Sequence, residues 1–84
     1  MKTNKHVRDN IFEIIENQLR DDDPRETRIT FARLLNEGFS EFQTKQLIGQ
    51  CITLEFFKIL KHNEEYNNER YIRNLLNLPK EPVE

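Results

Sequence analysis

Between Glu41 and His62 the chain runs for roughly 20 residues without a proline, long enough for a helix of about 30 Å. Its apolar residues there are Leu47, Ile48, Cys51, Ile52, Leu54, Phe56, Phe57, Ile59 and Leu60. At 100° per residue they cover most of the circumference. A helix exposed along one side does not show that pattern. Such a helix is central to a bundle or buried in an oligomer. This one segment therefore demands neighbours on several sides, supplied by the rest of the chain or by a second copy.

The remaining residues read as three more helices. Only two Gly and three Pro interrupt 84 residues, and strict alternation of polar and apolar residues is almost absent. Helix one is expected over about 5–20. Val7, Ile11, Phe12, Ile14, Ile15 and Leu19 fall within roughly 160° of one another, with Asp9, Glu13 and Glu16 opposite. Asp21-Asp22-Asp23-Pro24 breaks it. Asp23 then reads as the N-cap of helix two, Pro24 as its first residue and Glu26 as the capping-box partner. Helix two spans about 24–37 and ends at Gly38, the residue suited to a left-handed C-terminal position. Thr27, Phe31, Leu34 and Leu35 share one face, and Ile29 points elsewhere. The stretch Thr27 to Phe31 also has strand character, but the flanking cap signals favour helix.

Ser40 and Gln43 form a second capping-box pattern, with Phe39 ahead of it as a staple, and open helix three at 41–62. Residues 63–68 make a polar turn. Asn67 or Asn68 caps helix four, over about 68–77, whose stripe is Tyr71, Ile72, Leu75, Leu76 and Leu78. Pro79 stops it. The expected architecture is all-α: four helices around a long central third one, a single domain over 1–79 and a loose tail at 80–84. No internal repeat or low-complexity segment is present.

Size and composition narrow the function classes. The chain is too short for a dinucleotide-binding unit with a second substrate domain, or for a (β/α)8 barrel. It has no apolar run of about 18 residues, and Met1 to His6 lack a signal-peptide apolar core. A single cysteine, Cys51, fits a reducing cytoplasm. A domain of this size without a disulfide has a thin stability margin. Charge is spread evenly: counted over 1–20, 21–40, 41–63 and 64–84, no segment exceeds a net of two. Nucleic-acid binding draws most of its affinity from a concentrated basic face, and none is visible. The acidic run Asp21 to Asp23 lacks the alternating ligands and central glycine of a calcium loop.

Glu55 is the residue most out of place. It sits in the apolar arc among Leu47, Ile48, Cys51, Ile52 and Ile59, where an unpaired carboxylate costs several kcal/mol. It is therefore paired, protonated or wet. The structural reading pairs it with Arg70, Arg73 or Tyr71. The functional reading joins it to His62, one heptad later, as a metal or small-ligand site. No Glu-x-x-His pair of the kind used in dimetal bundles occurs. His6 and His62 lie near helix ends, as surface histidines commonly do, and Cys51 reads as a small core residue. No glycine-rich phosphate loop or Gly-x-Ser-x-Gly is present, so no enzyme activity and no cofactor are expected. Ile29, Phe56, Phe57 and Leu60 are left over. They are packed by helices one and four, or they form a partner or homodimer surface.

The segment Leu34-Leu35-Asn36-Glu37-Gly38-Phe39-Ser40, followed by a helix, resembles the Gly-Phe turn of ubiquitin-associated domains, small three-helix protein-binding modules. It also resembles the turn before a DNA-reading helix, which would present Glu41, Gln43, Thr44 and Lys45. Either likeness covers about 20 residues, and helix three overruns a ubiquitin-associated domain by several turns. A wider set runs from Asp22 to Pro79. It comprises Asp23-Pro24-x-Glu26-Thr27, Arg33-Leu34-Leu35, Gly38-Phe39-Ser40, Leu47-Ile48 with Glu55, Asn67-x-x-Arg70-Tyr71 and Leu78-Pro79. This set is similar to a bacterial family of small all-helical proteins without assigned function. The resemblance implies a helical, cytoplasmic protein and carries over no catalytic residue. Three function classes follow. The first is a non-enzymatic protein-interaction or structural module that forms a homodimer. The second is a nucleic-acid-associated regulator using the turn at Gly38. The third is a metal or ligand site at Glu55 and His62.

Overall fold

Four helices form close to where the cap signals put them. In the computed structural model, which describes residues 5–84, they are α1 (Lys5–Asp21), α2 (Arg25–Asn36), α3 (Glu41–His62) and α4 (Asn68–Asn77). No strand occurs among the described residues. The expectation drawn from residues 1–4 lies outside them. Among the described residues no helix is long and apolar enough to cross a membrane.

The helix ends show which local signals won. α2 closes in a Schellman motif: the Gly38 N–H donates to Leu35 O and the Phe39 N–H to Leu34 O, both at 3.1 Å. Gly38 sits at φ +105°, a conformation that side-chain-bearing residues resist. Ser40 and Gln43 form the expected capping box, and Asn67 caps α4 by accepting from the Arg70 N–H at 3.0 Å. Asn63, at φ +54°, ends α3. The start of α2 differs from expectation. Pro24 is extended and occupies the N-cap position, so the helix begins one residue later, at Arg25. That leaves Asp23 too far back to cap and moves Glu26 off the capping-box position. Asp22, in a left-handed conformation, instead accepts from Arg28 Nε at 2.7 Å.

α3 packs against all three other helices, and so does α2, whereas the backbones of α1 and α4 stay apart and meet only through side chains, Gln18 with Tyr71. The two middle helices thus share the central role. Where α1 crosses α3, the glycine at position 49 is what permits the approach: a Cβ there would stand 3.1 Å from Ile11 Cγ2. The apolar core is Ile11 and Ile15 from α1, Leu34 from α2, Ile48, Cys51 and Ile52 from α3, and Tyr71, Leu75 and Leu78 from the C-terminal segment. Burying each large one contributes about 1.5–3 kcal/mol. Six polar residues are buried with them: Thr27, Thr30, Thr44, Glu55, Arg70 and Asn74. A core this rich in polar groups depends on their pairing. Only the hydroxyls of Thr30 and Thr44 lack a partner among the described residues.

Three stripes are corrected. Val7, Leu35 and Leu76, placed on buried faces, are exposed. On α4 the buried line is Arg70, Tyr71, Asn74 and Leu75, continuing to Leu78, so the helix is turned toward Asn74 and away from Leu76. The tail at 80–84, expected to be loose, is docked. The Val83 N–H donates to Asn74 Oδ1 at 3.0 Å, Asn74 Nδ2 donates to Val83 O at 3.1 Å, and Lys58 pairs with Glu84. The signal for this was an asparagine on an otherwise apolar helical stripe.

Candidate functional site

The inner side of α3 carries Thr44, Ile48, Cys51 and Glu55 at helical spacing, all buried. Glu55 is 2% exposed and Arg70 5%. Asn67 starts α4 at the height of Glu55, and its backbone N–H donates to Glu55 Oε1 at 3.1 Å. One turn on, Arg70 delivers its fork: Nε donates to Oε2 at 2.7 Å and Nη2 to Oε1 at 3.0 Å. The carboxylate therefore receives three donors, two of them charged and bidentate. The remaining Arg70 nitrogen, Nη1, reaches Glu64 at 3.4 Å. These bonds hold the guanidinium above its ordinary pKa, chiefly through the hydrogen bond to Glu55, against the opposing effect of burial. The structural reading of Glu55 is the one the geometry carries, with Arg70 as the partner. Arg73 is exposed.

His62 does not join Glu55. Its ring packs edge-on against Phe57, with centroids 5.1 Å apart, at the exposed end of α3. Among the described residues no group of three or more His, Cys, Asp or Glu side chains could hold a metal ion. Cys51 donates weakly to Leu47 O, and burial pushes its thiol up to about 12. A thiol held protonated at neutral pH is a poor nucleophile.

Sequence reasoning missed a second polar centre beside this pair. Gln18 of α1 accepts from Thr27 Oγ1 at 2.7 Å and from the Tyr71 hydroxyl at 2.8 Å. One side-chain oxygen so joins α1, α2 and α4. Burial raises the Tyr71 hydroxyl to about 12. Between the two polar centres lies a narrow cleft of about 120 Å³, walled by Ile14, Ile52, Phe56, Ile59 and Tyr66. No local spacing announces Gln18, because its partners lie on other helices.

The outer side of α3 is different. Phe56 is 38% exposed, Phe57 44% and Leu60 80%. Spaced at i, i+1 and i+4, they share one face. Helices α1 and α4 leave all three partly open, although Phe56 turns its other edge to the cleft it shares with Ile14 of α1 and Tyr71 of α4. Ile29 is also exposed, on α2. Phe42, near the start of α3, is a further exposed aromatic. It meets Phe12 edge-on at 5.7 Å and lies under the Arg8 guanidinium at 5.9 Å.

At the turn before α3, the residues that a groove-reading helix would present are largely engaged. The Gln43 side chain closes the capping box, Thr44 is buried and Lys45 pairs with Glu16 on α1. Glu41 remains exposed.

Compared with protein-family models, with curated proteins and with solved structures, the chain matches none.

Proposed function

We propose that the chain is a non-enzymatic protein-interaction module that self-associates through the C-terminal half of α3. The observation that carries this reading is the exposed apolar face of Phe56, Phe57 and Leu60. It stands on a helix whose opposite side is locked by the Glu55–Arg70 pair. A rigid, apolar helix face matches itself across a two-fold axis, which makes a second copy the simplest partner. A net charge of −2 offers little like-charge repulsion to oppose that contact. The protonated, buried thiol and the engaged carboxylate speak for a structural rather than a chemical role. A cytoplasmic setting belongs to the same proposal, consistent with one free buried cysteine. So does kinship with small all-helical bacterial proteins, which brings no activity with it.

Light scattering coupled to size exclusion tests this. At tens of micromolar the chain is expected to approach twice its 10.2 kDa mass. Leu60→Asp, at a position exposed in the monomer, keeps the helical circular dichroism and returns the mass to that of one chain. A wild-type chain that stays monomeric at these concentrations overturns the proposal.

A further inference from the structure

The docked C-terminal segment points to a second binding surface, independent of the face just described apart from their shared Phe57. Asn74 is 1% exposed, and its amide serves both backbone groups of Val83, accepting from the N–H at 3.0 Å and donating to the C=O at 3.1 Å. One amide reaches both groups of a residue when that residue is extended, since they then point to the same side, as in a hydrogen-bonded strand pair. This contact ignores the side chain at 83. Selectivity comes from the neighbours. Lys58, whose side chain is largely buried, pairs with Glu84 and lies 3.5 Å from Glu64. Its ammonium is held above the ordinary lysine value, first by the hydrogen bond to Glu84, so the charge is fixed. Leu54 and Phe57 of α3 form one wall of an open groove of about 420 Å³, and Glu81 and Pro82 of the segment form the other.

We infer that the surface under this segment, formed by Leu54, Phe57 and Lys58 of α3 and Asn74 of α4, is a binding site for an extended peptide with an acidic–Pro–aliphatic–acidic pattern. The chain's own Glu81-Pro82-Val83-Glu84 occupies it in cis as the template. The buried amide clamp supplies backbone affinity, Lys58 reads the acid that follows the clamped residue, and Leu54 with Phe57 takes the proline side. Peptide recognition through backbone hydrogen bonds plus spaced side-chain contacts is a recurring mode of binding. The covalent tether gives the resident segment a high effective concentration, so a partner's segment must compete with it.

The test uses the full chain carrying Val83→Pro, which removes the N–H donated to Asn74 at a position exposed to solvent. A fluorescent peptide with the sequence of residues 80–84 is titrated by anisotropy. It is expected to bind the Val83→Pro chain saturably, and the wild-type chain about tenfold more weakly. Adding Lys58→Gln to the variant lowers affinity several-fold, and a peptide with Pro in place of Val does not bind. A second undocked chain, Pro82→Gly with Glu84→Lys, gives the same ranking if Val83→Pro disturbs the fold. Absence of saturable binding to both undocked chains overturns the inference, leaving the contact as an intramolecular brace. Equal affinity for wild-type and undocked chains, or indifference to Lys58→Gln, overturns it as well.

Discussion

Glu55→Gln is the substitution whose cost the geometry fixes most sharply. The carboxylate is 2% exposed and receives Arg70 Nε at 2.7 Å, Arg70 Nη2 at 3.0 Å and the Asn67 N–H at 3.1 Å. A glutamine keeps the shape but has one acceptor oxygen. Its amide nitrogen then faces a guanidinium donor, and the positive charge of Arg70 stays buried without compensation. Breaking one partner of a buried pair costs about 3–5 kcal/mol. A domain of this length has a total stability of about 4–12 kcal/mol, so the variant stands near the edge of folding. Urea unfolding followed by helical circular dichroism reads the effect. With a slope of about 1 kcal/mol/M, the midpoint falls by about 3 M or more. Replacing both partners by apolar residues, Glu55→Leu with Arg70→Met, removes the uncompensated charge. It recovers most of the loss, apart from about 1 kcal/mol for the Asn67 N–H left without an acceptor. A loss under about 1 kcal/mol for Glu55→Gln refutes the reasoning, because it means the pair is solvated. A double variant as unstable as the sum of its single variants refutes the charge argument and leaves only the positioning of α4.

Four further outcomes follow. Cys51 and Tyr71 both have folded-state values raised to about 12, so the folded chain keeps protons that the unfolded chain releases. Their contribution is complete below about pH 9 and is lost as pH rises toward 12. Urea midpoints measured across that range fall, and Cys51→Ala flattens the decline. Thr44→Val removes a buried hydroxyl with no partner and is expected to stabilise by about 1 kcal/mol. Thr27→Val deletes the donor to Gln18 and destabilises by a similar amount, so the two unfolding midpoints move in opposite directions. Gly49→Val drives a branched side chain into Ile11 Cγ2, costing about 1–3 kcal/mol by thermal or urea unfolding. Asn67→Ala removes the α4 cap and lowers stability by about 1 kcal/mol, read in the same unfolding assay.

What the residues announce locally, the chain does. Gly38, the Ser40–Gln43 box and Asn67 act within their own helix ends, so short-range chemistry is enough to place them. Glu55 is legible for another reason. A carboxylate on an apolar arc demands a partner, and three were in reach: Arg70, Arg73 and Tyr71. Choosing among them needed the position of α4 against α3, which no periodicity encodes. Asp23 failed as a cap because Pro24 took the N-cap position and shifted the helix start by one residue. Gln18 was hidden, since its worth lies in two donors from other helices. Asn74 sat on an apolar stripe much as Glu55 did, and the same argument would have flagged it. The bareness of position 49 has meaning only once α1 lies across α3.

The central claim is that α3 is locked on its inner side and sticky on its outer side. Backbone amide shifts recorded by nuclear magnetic resonance across a dilution series test it most directly. The account predicts concentration-dependent shifts gathered on Phe56, Phe57, Leu60 and their neighbours, with the amides of Glu55 and Arg70 protected from hydrogen exchange throughout. Shifts that do not move with concentration, or that gather instead around Phe42 or Ile29, contradict it.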